Sequence, residues 1–182
     1  MNQFVIFLRG VNVGGNATVK MDVLKKSLAE NGCRQVITYI NSGNIWVTTE
    51  NDQKTTIKII KEIIQLKFGI TVEMILKTKE ELSEIITHDP FDPKEATDPS
   101  RKIVMMLSKV IDSAKIDAFK KEAKWNEIYR FSGNLLYVYY PDGAGRSRFT
   151  NNFVENKLQV VSTARNWNTL QKMIDLFAPA TN

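Results

Sequence analysis

The chain has 182 residues, a net charge of +5, a hydrophobic fraction of 43%, one cysteine and one histidine. These totals exclude a disulfide framework and a zinc site of the usual composition, and no run approaches the roughly 18 apolar residues of a membrane helix. Residues 1–100 hold 12 basic and 13 acidic side chains and residues 101–182 hold 13 and 7, so an anionic partner would favour the second half.

The start, MNQFVIFLRG, lacks a basic leader region; residues 4–8 read as a strand buried on both faces. A glycine-rich loop follows from Arg9. Met21, Leu24 and Leu28 then recur at helical spacing, with Gly32 as the stop. Residues 36–40 and 45–49 read as strands joined by the turn Asn41-Ser42-Gly43-Asn44. Asp52 can cap a helix bearing Ile57, Ile60 and Ile64 that ends at Gly69, and residues 71–76 form another strand. Residues 1–77 therefore read β-α-β-β-α-β, the order of a ferredoxin-like plait. Thr78 and Glu81 spell a capping box for a short helix carrying Leu82, Ile85 and Ile86. His88 sits at its end, where it meets the last carbonyls, and the polar residues up to Ser100 form a linker.

The pattern then repeats. Residues 103–107 are a strand, and Asp112 caps a helix with Ile116, Phe119 and Ala123 on one side. Residues 128–131 and 135–140 are strands joined at Ser132-Gly133-Asn134. A helix from about Ser147, a short strand over 160–162 and a last helix from Trp167 complete the chain before Pro179. The expected fold is α+β, a tandem duplication of a ferredoxin-like β-α-β-β-α-β plait with an extra C-terminal helix. Its expected parts are a first repeat over 1–77, a helix and linker over 78–100 and a second repeat over 101–182. Ser-Gly-Asn in the same hairpin slot of both halves supports the duplication.

Two polar clusters carry the functional expectation. In the second repeat, Gly143, Gly145, Arg146, Ser147 and Arg148 follow a strand and precede a helix, the arrangement that turns free backbone N–H groups toward an anion. Strands three and four of a plait end on the same edge, so Arg165 and Asn166 would join that loop. In the first repeat the end of strand one lies beside the turn between strands two and three. This gathers a second candidate site from Arg9, Asn12, Gly14, Gly15, Asn41, Ser42 and Asn44. Residues 10–15 are not a Walker loop, since no Lys-Ser or Lys-Thr follows.

Five stretches carry a family resemblance: residues 8–15 (LRGVNVGG), 39–44 (YINSGN), 89–91 (DPF), 140–147 (YPDGAGRS) and 164–169 (ARNWNT). In order and spacing they resemble the bacterial family called domain of unknown function 1697. The family pattern has an asparagine where this chain has Asp89, and commonly a lysine where it has Arg148. The resemblance implies a pair of ferredoxin-like subdomains and brings no activity, substrate or cofactor with it.

The residues thus point to a small phosphorylated or carboxylated ligand, with Tyr140 and Asp142 nearest for any proton transfer. No metal or other cofactor, and no membrane partner, is expected. The lone Cys33 fits a reducing, cytoplasmic setting. Two other classes stay open: a single-stranded nucleic-acid module stacking bases on Trp46, Tyr137 and Tyr139, or a protein-interaction scaffold. Whether the chain is an enzyme, and its oligomeric state, stay open too.

Overall fold

A computed structural model describes residues 1–14, 17–122 and 125–177. The strands are β1 (Asn2–Leu8), β2 (Cys33–Tyr39), β3 (Asn44–Thr49), β4 (Met74–Thr78), β5 (Lys102–Leu107), β6 (Ile128–Ser132), β7 (Leu135–Tyr139) and β8 (Ser162–Asn166). The helices are α1 (Met21–Glu30), α2 (Gln53–Phe68), α3 (Lys79–Thr87), α4 (Ser113–Glu122), α5 (Asn151–Leu158) and α6 (Trp167–Asp175). The strands form two antiparallel sheets of the same topology, β2-β3-β1-β4 and β6-β7-β5-β8. This is the ferredoxin-like order twice in tandem. The chain divides into two compact units, Met1–Ile85 with the chain from Lys172 onward, and Ile86–Gln171.

In the first unit, alternation along the strands sends Phe4, Ile6 and Leu8 of β1 and Ile45 and Val47 of β3 to one face. There they pack on Leu24 and Leu28 of α1 and Ile60, Ile63 and Ile64 of α2. The intervening Val5, Phe7 and Trp46 are also buried, so β1 is covered on both faces, as its unbroken apolar run requires. The helix starts follow from side-chain chemistry. Asp52 accepts the Thr55 N–H at 2.7 Å, and Thr78 and Glu81 exchange the two hydrogen bonds of a capping box, at 3.2 and 2.9 Å. Gly69 ends α2 at φ +70°.

In the second unit Met105, Leu107, Leu136 and Val138 face α4 and α5, where Phe119, Phe149 and Val154 meet them. Asp112 caps α4 through the Lys115 N–H at 2.8 Å; Ala123 lies outside the described residues, as does Pro179. The stretch read as a linker is pinned down. Phe91 packs on Tyr139 with ring centres 6.4 Å apart, and Arg130 pairs with Glu95 at 2.9 Å. The Lys102 ammonium lies 2.5 Å from the Asp89 carboxylate and within 6 Å of the Phe91 and Trp167 rings. Asp89, where the family pattern has an asparagine, thus supplies the counter-charge for a nearly buried lysine.

Two boundaries differ from the sequence reading. The helix expected from Ser147 begins at Asn151, because Ser147 is held extended and Thr150 is the residue whose hydroxyl accepts the Phe153 N–H. The last strand is Ser162–Asn166, not 160–162. Gln159 ends α5 in the left-handed region at φ +53° and the Val160 N–H still bonds back to Glu155, so pairing starts only afterwards. Ser-Gly-Asn does occupy both hairpin turns, but one residue out of register. Leu8 N–H bonds to the Gly43 carbonyl, and the corresponding Leu107 N–H bonds to that of Asn134. The likeness of the two units rests on their strand order, not on the tripeptide.

Candidate functional site

The first cluster is assembled as plait topology requires. Asn12, itself at φ +56°, ties its loop to the hairpin turn. Its amide nitrogen donates to the carbonyls of Val19 and Asn41 at 2.9 and 2.7 Å, and its oxygen accepts the Val19 N–H at 2.8 Å. Asn44 is fully buried and donates to the Tyr39 carbonyl and to the Ser42 hydroxyl. The Arg9 N–H bonds to the Glu73 carbonyl at 2.8 Å. Asn12 and Asn44 therefore hold the loops in shape. Gly10, Gly14 and Gly43 take positive φ beside Asn12, Ala17 and Ile40, an unusual density of left-handed backbone in two short loops. Gly15 lies outside the described residues.

Against these loops lies an open groove of about 840 Å³, lined by Asn12, Thr18, Lys20, Asp22, Lys25, Thr38 and Asn41 among others. It sits at the start of α1, whose first-turn N–H groups have no side-chain cap. Of these residues only Asn12 and Asn41 stand out in the sequence as candidate site residues. The available signal was negative: Lys20 stands where a capping Ser, Thr, Asp or Asn would normally precede a helix.

The second cluster is less closely gathered. Tyr139 at the end of β7 pairs with Lys102, and Asn166 at the end of β8 pairs with Ile103. Both segments leave the second sheet at one end, on either side of the start of β5. The 3-10 turn Pro99–Arg101 precedes β5 between them. It bonds to both flanks: the Arg101 guanidinium donates to the Pro141 carbonyl, and the Asn166 amide donates to those of Ser100 and Lys102, at 2.6 and 3.3 Å. Asn166 also caps α6, its oxygen accepting the Asn168 N–H at 3.0 Å.

Arg165 lies inside β8 and is 8% exposed, its guanidinium donating to the Thr163 hydroxyl and the Ala164 carbonyl. Burial lowers its pKa to about 10. Arg146 and Arg148 are exposed on the loop, with Gly143 at φ +82° and Gly145 in the 3-10 turn Ala144–Arg146. The Ser147 hydroxyl donates to Glu127, and Asp142 accepts from Asn126 at 2.6 Å. Tyr140 is buried with its hydroxyl on the Phe149 carbonyl at 2.7 Å, and burial pushes its pKa well up. It is a strut, not an acid facing solvent.

The base-stacking surface is absent from the strands proposed for it. Trp46, Tyr137 and Tyr139 are 5%, 1% and 6% exposed. Burial, helped by Asp89, pushes the Tyr137 hydroxyl up to about 12. Among the described residues no helix is long and apolar enough to cross a membrane, and no cluster of three or more His, Cys, Asp or Glu could hold a metal ion.

Residues 1–137 match the family described as "Protein of unknown function (DUF1697)". The chain belongs to that family. The DUF1697 match covers the Asn12 loop, the 41–44 turn and Asp89, and it ends within β7, before the 140–148 and 164–169 stretches. The conserved bacterial protein SP0830 from Streptococcus pneumoniae has a similar structure, with a TM-score of 0.72 at 19% identity, covering 97% of this chain and 99% of that one. At that identity the likeness is one of fold. No curated protein matches the chain.

Proposed function

We propose that this DUF1697 chain binds a small anionic ligand, phosphorylated or carboxylated, in the groove of the first unit. The observation that carries this is the groove itself: Lys20 and Lys25 line one open cleft at the foot of α1. The uncapped first turn of the helix adds donors and a partial positive charge to the same place. Asp22 offsets one lysine, leaving an excess of one positive charge among the described lining residues, which favours an anion. The Asn12 bonds tie its loop to Val19 and to the 41–44 turn, so the backbone there needs little further ordering on binding. Arg146 and Arg148 on the 143–148 loop are the second candidate contact. They are exposed, and Asp142 and Glu127 bond to neighbours on or beside that loop.

Titration calorimetry with inorganic phosphate separates the two. The double variant Lys20→Ala/Lys25→Ala should weaken binding ten- to a hundredfold, as expected when charged hydrogen bonds of about 1.5–3 kcal/mol are lost. Arg146→Ala should change it less than threefold. The opposite ranking would move the site to the 143–148 loop and overturn the assignment to the groove.

A further inference from the structure

The groove has room for more than a bare anion. About 840 Å³ of open space is the size of a small-molecule site, several times what phosphate fills. Its wall also carries chemistry that an anion does not use. Thr18 and Thr38 bring hydroxyl groups, Asn41 brings a carboxamide and Asp22 a carboxylate. Thr18 and Asn41 are exposed and Thr38 is half-buried on β2, so all three can reach a guest. The Asn41 backbone is fixed by the Asn12 bond to its carbonyl, which steadies this end of the groove.

Hydroxyl, carboxamide and carboxylate groups together offer mixed donors and acceptors, the complement of a polyol whose every hydroxyl both donates and accepts. Among the described residues no aromatic side chain lines the groove, so these offer no ring face for a nucleobase. We infer that the groove takes a phosphorylated sugar or sugar alcohol, its phosphate held by Lys20 and Lys25 and its hydroxyls by Thr18, Thr38, Asn41 and Asp22. This rests on the anion-binding reading above and narrows it to one class of ligand.

Calorimetry on the full chain tests it with glucose 6-phosphate, ribose 5-phosphate, glycerol 3-phosphate, phenyl phosphate and inorganic phosphate. At least one sugar or polyol phosphate should bind tenfold or more tightly than inorganic phosphate, and phenyl phosphate, which has no hydroxyls, should not. Thr38→Val with Asn41→Ala should bring that ligand down to the affinity of inorganic phosphate and leave inorganic phosphate itself unchanged; circular dichroism checks the fold. The inference is overturned if no polyol phosphate exceeds inorganic phosphate, or if the two substitutions leave its advantage intact. Those results would leave anion binding standing. Failure of every anion to bind the unaltered chain would remove both readings together.

Discussion

Replacing Gly43 with alanine should destabilise the protein by about 2–5 kcal/mol, while the same change at Gly133 should cost about 1–2 kcal/mol. Both glycines stand in a Ser-Gly-Asn tripeptide at a hairpin turn, and both have positive φ, +75° and +56°. An alanine in the left-handed region carries the smaller cost in each case. The difference is space. A Cβ on Gly43 would lie 2.7 Å from both Leu8 Cβ and Val11 Cγ2, whereas nothing lies within 4 Å of one on Gly133. Leu8 and Val11 are buried core residues that cannot simply swing aside. The turn would have to lift from the end of β1, breaking the Leu8–Gly43 backbone bond of 2.8 Å and displacing Asn41, the wall of the groove. Urea unfolding of the two variants measures the contrast. Equal losses would mean that the turn is not packed against β1 as described.

The other large effect is expected at Phe149. Its side chain is 1% exposed and meets the rings of Trp125, Tyr129, Phe119 and Phe153 with centres 5.2 to 5.9 Å apart. Phe149→Ala should cost about 3–5 kcal/mol, since a void among rigid rings cannot collapse. Tyr140→Phe, beside it, keeps the ring and loses only the hydroxyl's bond to the Phe149 carbonyl. That should cost about 0.5–1.5 kcal/mol and leave phosphate binding where it was. A loss of binding in Tyr140→Phe without a loss of stability would return Tyr140 to the list of functional groups.

The sequence disclosed what depends on neighbours along the chain. The caps at Asp52, Thr78 and Asp112, the stop at Gly69 and the unbroken apolar run of β1 follow from local spacing. The plait order then placed the Asn12 loop beside the 41–44 turn. What stayed hidden depends on burial. β8 reads Ser-Thr-Ala-Arg-Asn, a polar string resembling a loop, and only the structure shows Thr163 and Arg165 turned into a covered face. The groove was hidden for the opposite reason. Lys20, Asp22, Lys25, Thr18 and Thr38 are ordinary surface residues that acquire meaning only when the fold sets β2 beside the start of α1.

The central claim is that the first unit holds the anion site. Amide chemical shifts of the labelled chain, followed by NMR during a titration with inorganic phosphate, locate the site directly. On that claim, saturable shifts concentrate at residues 20–25, and those at residues 143–148 stay small and linear in concentration. Saturable shifts at 143–148 with the α1 groove silent would contradict it.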